Sequence, residues 1–153
     1  MYGKTTVLAA ALLTGVCVSL LGTAVAMAQD PASYPCPDEA CLGAGCVAGV
    51  DIDPQAVEAA RANAERNEVA AVFSDSTQSV AGEYDLVVAN ILSNPLRVLA
   101  PAICAHVRPG GRLALSGILR EQADEIIAIY SQWLPMQVAD VREDWVCLAG
   151  TKP

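Results

Sequence analysis

A short apolar run that leads directly into a helix constrains the fold of this chain more than any other feature. Residues 46–50 are apolar, and residues 51–53 join them to a predicted helix that begins at Pro54. Proline is well tolerated at the first position of a helix, and Asp53 is a suitable N-cap residue. A strand followed at once by a helix is the first half of a βαβ unit, so the sequence predicts a parallel sheet covered by helices.

The same alternation continues to the end of the chain. Periodicity and turn residues predict helices at 54–67, 96–107 and 121–134 and strands at 69–73, 84–89, 112–116, 136–141 and 145–149. Only three residues join the last two strands, and so short a connection indicates an antiparallel pair. The expected fold class is therefore α/β, with a mostly parallel sheet and an antiparallel C-terminal hairpin.

Polar residues follow three of the predicted parallel strands. They are Asp51, Asn90 and Ser116. In open parallel sheets, ligands bind outside the carboxyl ends of the strands. These three residues are therefore the first candidates for a binding site.

Four segments resemble one family of enzymes. They are GVDIDPQAVEAARANAERN, YDLVVANILSNPLRVLAP, RPGGRLALSGILREQADEII and EDWVCLAGTK, in this order. Together, over about residues 42–152, they are similar to the ribosomal protein L11 methyltransferase family. The resemblance implies a Rossmann-like methyltransferase fold. It also implies transfer of a methyl group from S-adenosylmethionine to amines of a large-subunit ribosomal protein.

The resemblance implies specific roles for two of the candidate residues. Asp51 matches the acid that holds the ribose hydroxyls of the cofactor, and a carboxylate can accept two hydrogen bonds from a diol. Asn90 matches the asparagine that meets both cofactor and substrate amine, so it is the expected catalytic residue as well as a cofactor ligand. The alternatives are a capping role for Asp51 and a turn role for Asn90. Asn94-Pro95 fits a turn that starts the next helix at least as well as a chemical role, and Ser116-Gly117 fits packing and loop geometry.

One part of the family pattern has no counterpart in the sequence. The family has a strand and a GxGxG-type loop ahead of the strand that ends at Asp51, whereas this chain has PCPDEACLGAG there. The family's separate N-terminal substrate-recognition domain is missing too. The expectation is thus an incomplete sheet over residues 46–153 that lacks its central strand, unless the N-terminal segment fills the gap.

The N-terminus has the pattern of an export signal. Residues 5–28 carry no charge, follow Lys4 and end in Ala26-Met27-Ala28, which predicts cleavage after Ala28. An uncleaved membrane anchor, or an apolar helix or strand buried against the domain, would explain the same run. Residues 1–28 are thus signal-peptide-like, and the proline-rich residues 29–45 form a predicted linker. The family acts in the cytoplasm, whereas this segment predicts export or anchoring.

Charge and cysteine spacing argue against two further kinds of site. A net charge of −8 disfavours direct nucleic-acid binding, which depends on clustered Lys and Arg. Cys36, Cys41 and Cys46 are spaced by five residues rather than in the close pairs of zinc sites, so no metal site is predicted. A membrane contact is expected only through residues 5–28.

The missing strand and loop predict a truncated methyltransferase that is weak or inactive, and two alternatives to it remain open from the sequence. The chain could be an exported or membrane-tethered domain that reuses the scaffold without catalysis. It could also be a fused or truncated reading frame without a selected function, since the sequence character changes abruptly near Leu42.

Overall fold

The computed structural model describes residues 5–11, 44–66, 71–75 and 82–153. These residues form one seven-stranded sheet and three α-helices. The strands are β1 Thr5–Ala11, β2 Ala44–Asp51, β3 Val72–Asp75, β4 Tyr84–Asn90, β5 Val107–Leu119, β6 Met136–Arg142 and β7 Trp145–Thr151. The helices are α1 Pro54–Arg66, α2 Ser93–Ala105 and α3 Ala123–Tyr130, and a 3-10 turn, Arg120–Gln122, precedes α3.

The strands lie in the order β3-β2-β1-β4-β5-β7-β6. The first five in that order are parallel to one another. Strand β7 runs antiparallel to β5, and β6 runs antiparallel to β7. This arrangement confirms the predicted α/β class with a mostly parallel sheet and an antiparallel C-terminal hairpin.

The central strand comes from the N-terminal segment. Thr5–Ala11 pairs in parallel with β2 on one side and with β4 on the other, so that Leu8 is level with both Ala48 and Val87. The gap that the sequence left open is therefore filled. Of the three interpretations of the N-terminus, the structure of residues 5–11 agrees with an apolar strand that is part of the domain.

Most of the remaining N-terminal predictions fall on residues 12–43, which lie outside the described residues. These predictions include the cleavage point after Ala28 and nearly all of the linker. Ala44 and Gly45, assigned to the linker from the sequence, already belong to β2. In the part of the chain that the structure describes, none of the helices has the length and apolar character needed to cross a membrane.

The core lies between β4, β5 and β7 and the helices α2 and α3. Leu96, Ala100 and Ile103 are buried at helical spacing on one face of α2. They belong to the same buried cluster as Leu113 of β5 and Tyr130 of α3. This burial fixes α2 against the sheet, and with it the loop between β4 and α2.

Several element boundaries differ from the sequence prediction. Helix α2 begins at Ser93, three residues before the predicted start, and Val107 belongs to β5 rather than to the helix. Strand β5 continues through Pro109-Gly110-Gly111 because Gly110 adopts a φ of +74°, which glycine tolerates. A shift in the β4–β5 register absorbs the extra residues.

Helix α3 and strand β3 also differ in extent. Helix α3 ends at Tyr130, short of the predicted residue 134. Residues 131–134 form turns instead, in which the backbone N–H groups of Trp133 and Leu134 both donate to the Tyr130 carbonyl. Pro135 further disfavours helical conformation at Leu134. Strand β3 is Val72–Asp75 rather than 69–73, and Arg61 of α1 donates to the Phe73 carbonyl at 2.6 Å.

Lys152 links the C-terminal residues to the end of α2 and the start of β5 by hydrogen bonds. Lys152 Nζ donates to the carbonyl oxygens of Cys104 at 3.0 Å and Val107 at 2.7 Å. The Lys152 backbone also exchanges hydrogen bonds of 2.9 Å with Gly110 and Gly111. The carbonyls at a helix C-terminus have no partner within the helix, and a lysine satisfies them well.

Candidate functional site at the carboxyl ends of the strands

The strand register brings four polar residues to one edge of the sheet, here called the carboxyl rim: Asp75, Asp51, Asn90 and Ser116. Asp51 pairs with Asp75, and Asn90 pairs with Ser116 and with Ala11 of β1. Val50 pairs with Ala10, which puts Asp51 level with Ala11. Asp51 and Asn90 thus end the two strands that flank β1. Two strand spacings correspond to about 10 Å between them along the rim.

Asp51 is a half-buried carboxylate at the end of β2. Its Oδ1 accepts a hydrogen bond from the Asp53 backbone N–H at 2.9 Å. Burial raises the pKa of Asp51, the backbone N–H groups of Asp53 and Ile52 oppose that rise, and the negative charge of Asp53 adds to it. A carboxylate that is partly removed from water is a strong acceptor for the hydroxyls of a bound diol.

The capping role belongs to Asp53, as predicted. Its Oδ1 accepts the Gln55 N–H at 2.9 Å, and its carbonyl accepts the Val57 N–H at 3.1 Å. Asp53 therefore provides acceptors for backbone N–H groups in the first turn of α1. The N–H of Asp53 itself donates to Asp51 Oδ1. Asp51 is accordingly oriented by the start of the helix without being its cap.

Asn90 is an exposed residue between two buried ones. Ala89 is 0% exposed and Ile91 is 3% exposed, whereas the Asn90 side chain faces outward at the rim. Only Ile91 and Leu92 separate β4 from α2. A loop this short and this firmly anchored holds the amide at a defined place, which suits a residue that must align a reactant.

The Asn94 side chain is hydrogen-bonded within its own helix. Its Oδ1 accepts a hydrogen bond from Arg97 Nη1, and Arg97 Nη2 pairs with Glu125 Oε2 of α3 at 2.6 Å. Both Asn94 and Pro95 lie in the first turn of α2. This agrees with the interpretation of Asn94-Pro95 as the start of the helix.

Ser116 and Gly117 form an irregularity at the end of β5. Leu115 pairs with Leu148 of β7 and Ile118 pairs with Val146, so two residues of β5 oppose the single residue Cys147. Such a β-bulge bends its strand and often lies beside a functional site. The bulge here lies next to Asn90, because Asn90 and Ser116 are paired.

Asp75 is a rim residue that the sequence analysis missed. It is half-buried and pairs with Asp51 at the end of β3. The predicted strand 69–73 stopped short of it. An acid close behind an apolar run, here separated from it only by Ser74, is the signal that could have identified Asp75.

The described rim offers the groups that an adenosyl cofactor and an amine require. Asp51 is a suitable acceptor for a ribose diol, and the exposed amide of Asn90 can accept the hydrogens of an amine. The residues that follow β1 lie outside the described part of the chain. Within the described ranges, no group of three or more His, Cys, Asp and Glu side chains is placed to hold a metal ion.

Comparison with known proteins adds an independent line of information. The family model described as "Ribosomal protein L11 methyltransferase (PrmA)" matches residues 39–153. The ribosomal protein L11 methyltransferase of Dechloromonas aromatica (strain RCB) is 87% identical over 112 residues, which is 73% of this chain and 38% of that protein. The enzyme of the same name from Ralstonia pickettii (strain 12J) is 58% identical over 112 residues, again 73% of this chain and 38% of that protein.

A solved structure shares the fold. The ribosomal protein L11 methylase from Lactobacillus delbrueckii subsp. bulgaricus superposes with a TM-score of 0.68 at 29% identity, covering 72% of this chain and 60% of that chain. The chain spans less than two-fifths of the length of the curated relatives that it matches. The family model nevertheless covers most of its residues. The chain therefore belongs to the ribosomal protein L11 methyltransferase family.

Proposed function

We propose that this chain binds S-adenosylmethionine at the carboxyl rim and transfers its methyl group to an amine of the large-subunit ribosomal protein L11. S-adenosylmethionine is the methyl donor of the family. One observation supports the proposal above others: Asp51 and Asn90 end the two strands that flank β1 and are level with each other. The carboxyl rim therefore offers an acid for the ribose and an amide for the amine.

Asp51 holds the ribose in this proposal. Its carboxylate accepts hydrogen bonds from the two hydroxyls. The Asp53 N–H, 2.9 Å from Asp51 Oδ1, keeps the carboxylate oriented. Partial burial reduces competition from water and so strengthens these hydrogen bonds. The bound cofactor supplies a methyl group that an amine can attack.

Asn90 holds and aligns the substrate amine. The reacting nitrogen must be neutral, and the amide oxygen of Asn90 accepts one of its hydrogens without supplying a charge that would favour the protonated amine. The protein's main contribution is therefore alignment of two reactants. Burial of Ala89 and Ile91 on either side gives Asn90 the rigid support that alignment requires.

Cofactor binding is tested by isothermal titration of the full chain with S-adenosylmethionine and with S-adenosylhomocysteine. Asp51→Asn removes the charge from the ribose ligand, and we expect about 10- to 100-fold weaker binding. Asp53→Asn is the matched control, because it removes a neighbouring charge but keeps a good N-cap. Equal losses for the two variants, or no binding to the wild-type chain, would contradict the role of Asp51.

Methyl transfer is tested with tritium-labelled cofactor and purified ribosomal protein L11. We expect Asn90→Ala to weaken cofactor binding and to reduce kcat by about 100-fold, since alignment of the amine is lost. Asn94→Ala is the control, because the Asn94 amide oxygen already accepts a hydrogen bond from Arg97 within α2. Transfer that is equally fast in both variants would count against Asn90 as the catalytic residue.

We expect transfer to be weak relative to longer members of the family and to take place in the cytoplasm, where ribosomal proteins and the cofactor are present. Glycines let the backbone approach a cofactor closely, and the sequence before β2 contains no GxGxG motif; in Gly43-Ala44-Gly45, the last two residues belong to β2 itself. The proposal involves no direct contact with nucleic acid, consistent with the net charge of −8.

A second candidate is an exported or membrane-tethered module without catalysis. The uncharged run at residues 5–28, with Ala26-Met27-Ala28 at its end, favours it. Mass spectrometry of the intact protein from fractionated cells distinguishes the two. A species that starts at Gln29 supports export, and a cytoplasmic species that retains Met1 supports the enzyme.

A further inference from the structure

Gly117 touches the backbone of the residue that follows Asn90. Gly117 lies in the β5 bulge with a φ of +82°. A Cβ atom at this position would lie 2.5 Å from the Ile91 carbonyl oxygen, 2.9 Å from its carbonyl carbon and 3.3 Å from its nitrogen. Any side chain at position 117 must therefore displace the Ile91 backbone or the bulge itself.

The displaced backbone has little freedom to move without Asn90. Ile91 is 3% exposed and Ser93 is 6% exposed, so both are fixed by packing on the far side of the loop. The backbone of Ile91 is continuous with that of Asn90, whose side chain is exposed at the rim. A shift of the Ile91 backbone therefore changes the position of the Asn90 amide.

We propose that Gly117 is a positioning residue for Asn90: its missing side chain lets the β5 bulge support the Ile91 peptide and so sets where the Asn90 amide meets the substrate amine. This inference rests on the proposed function of Asn90. Gly117 itself touches neither cofactor nor amine. Its effect on methyl transfer passes through the loop backbone.

Gly110 provides a matched control within the same strand. Its φ of +74° is close to that of Gly117, so an alanine meets similar backbone strain at either position. A Cβ at Gly110 would meet only Arg108 Nη1, at 3.5 Å, which is an ordinary contact. Gly110 also lies near the start of β5, far from the rim. Both alanine variants carry the backbone strain of a positive φ, but only Gly117→Ala crowds the Ile91 backbone. Comparing them therefore separates the effect of crowding from the effect of strain.

The first measurement is NMR of the full-length ¹⁵N-labelled protein. We expect Gly117→Ala to shift the side-chain amide signals of Asn90 and the backbone signal of Ile91, and Gly110→Ala to leave them in place. Gly117→Asn is a second variant, because asparagine tolerates a positive φ while still carrying a Cβ. Unchanged Asn90 signals in the Gly117 variants would overturn the proposal. So would unfolding of both Gly117 variants while Gly110→Ala folds, since Gly117 would then support the sheet as a whole.

The second measurement is kinetic. We expect Gly117→Ala to lower kcat for methyl transfer by about 10- to 100-fold and to weaken cofactor binding no more than Asn90→Ala does, because both substitutions act through the same amide. The double variant Asn90→Ala/Gly117→Ala should be no slower than Asn90→Ala, because the two substitutions act on one step. Additive losses would overturn the proposal. If the wild-type chain transfers no methyl group, the proposed function fails, and the NMR comparison alone decides whether Gly117 sets the position of Asn90.

Discussion

Lys152 is expected to contribute strongly to stability although it is next to the last residue of the chain. Its Nζ donates to the Cys104 and Val107 carbonyls at 3.0 and 2.7 Å, and its side chain is half-buried. Lys152→Met keeps most of the aliphatic stem but leaves both carbonyls without this donor. A hydrogen bond from a charged group contributes about 1.5 to 3 kcal/mol, and water replaces part of it at a half-buried position. We therefore expect the free energy of unfolding to fall by about 2 kcal/mol.

Urea unfolding followed by circular dichroism measures this loss, and it should correspond to a Tm lower by about 4 to 8 °C. Arg142→Met is the matched control. Arg142 contacts Asp140 at 3.3 Å with its side chain 70% exposed, so this variant should change stability by less than about 0.5 kcal/mol. An equal effect of the two substitutions, or a Lys152→Met variant as stable as the wild type, would refute the reasoning.

Three further predictions concern the core, the helix cap and pH. Tyr130→Phe removes the buried hydrogen bond from its hydroxyl to the Leu96 carbonyl at 3.0 Å and should cost about 1 kcal/mol of unfolding free energy in urea titration. Asp53→Ala removes the acceptor of the Gln55 N–H and should cost about 1 kcal/mol, whereas Asp53→Asn should cost only a few tenths. Burial raises the pKa of the Cys104 thiol to about 11 from 9.0, so the native state holds its proton where the unfolded state loses it. Stability from this group is complete below pH 9 and is lost as pH rises to about 11, and Cys104→Ala should flatten that part of the pH profile.

The parallel βα units were predictable because their signals are local. The apolar run ending at Asp51, the proline at the first position of α1 and the Asp53 cap all act within a few residues, and each appears in the structure as expected. The run from Leu86 to Ala89 within β4 is equally clear, since the middle of a strand that is covered on both faces is apolar. The placement of Asp51 and Asn90 on one rim follows from these two strands, while their binding roles stay predictions.

Features that depend on distant contacts were not predictable from the sequence. Nothing within Thr5–Ala11 distinguishes a central strand from the core of an export signal, because pairing with β2 and β4 decides it. Strand β5 passes through Pro109-Gly110-Gly111 because the register shift against β4 absorbs the extra residues and Lys152 hydrogen-bonds to the backbones of Gly110 and Gly111. The role of Gly117 depends on the Ile91 backbone, which lies far away in sequence.

The central position of β1 in the sheet and the export-signal pattern of residues 5–28 place opposite demands on the same N-terminal segment. An export pathway that threads unfolded chains, and a peptidase that cuts after Ala28, both need this segment free, whereas the sheet pairs both edges of Thr5–Ala11. A chain that is processed after Ala28 loses its middle strand and leaves β2 and β4 each with an open edge, the kind of edge that invites aggregation. If the N-terminus also serves as the export signal that its sequence predicts, folding of β1 and processing compete for the same seven residues, and the faster of the two after synthesis decides which form accumulates.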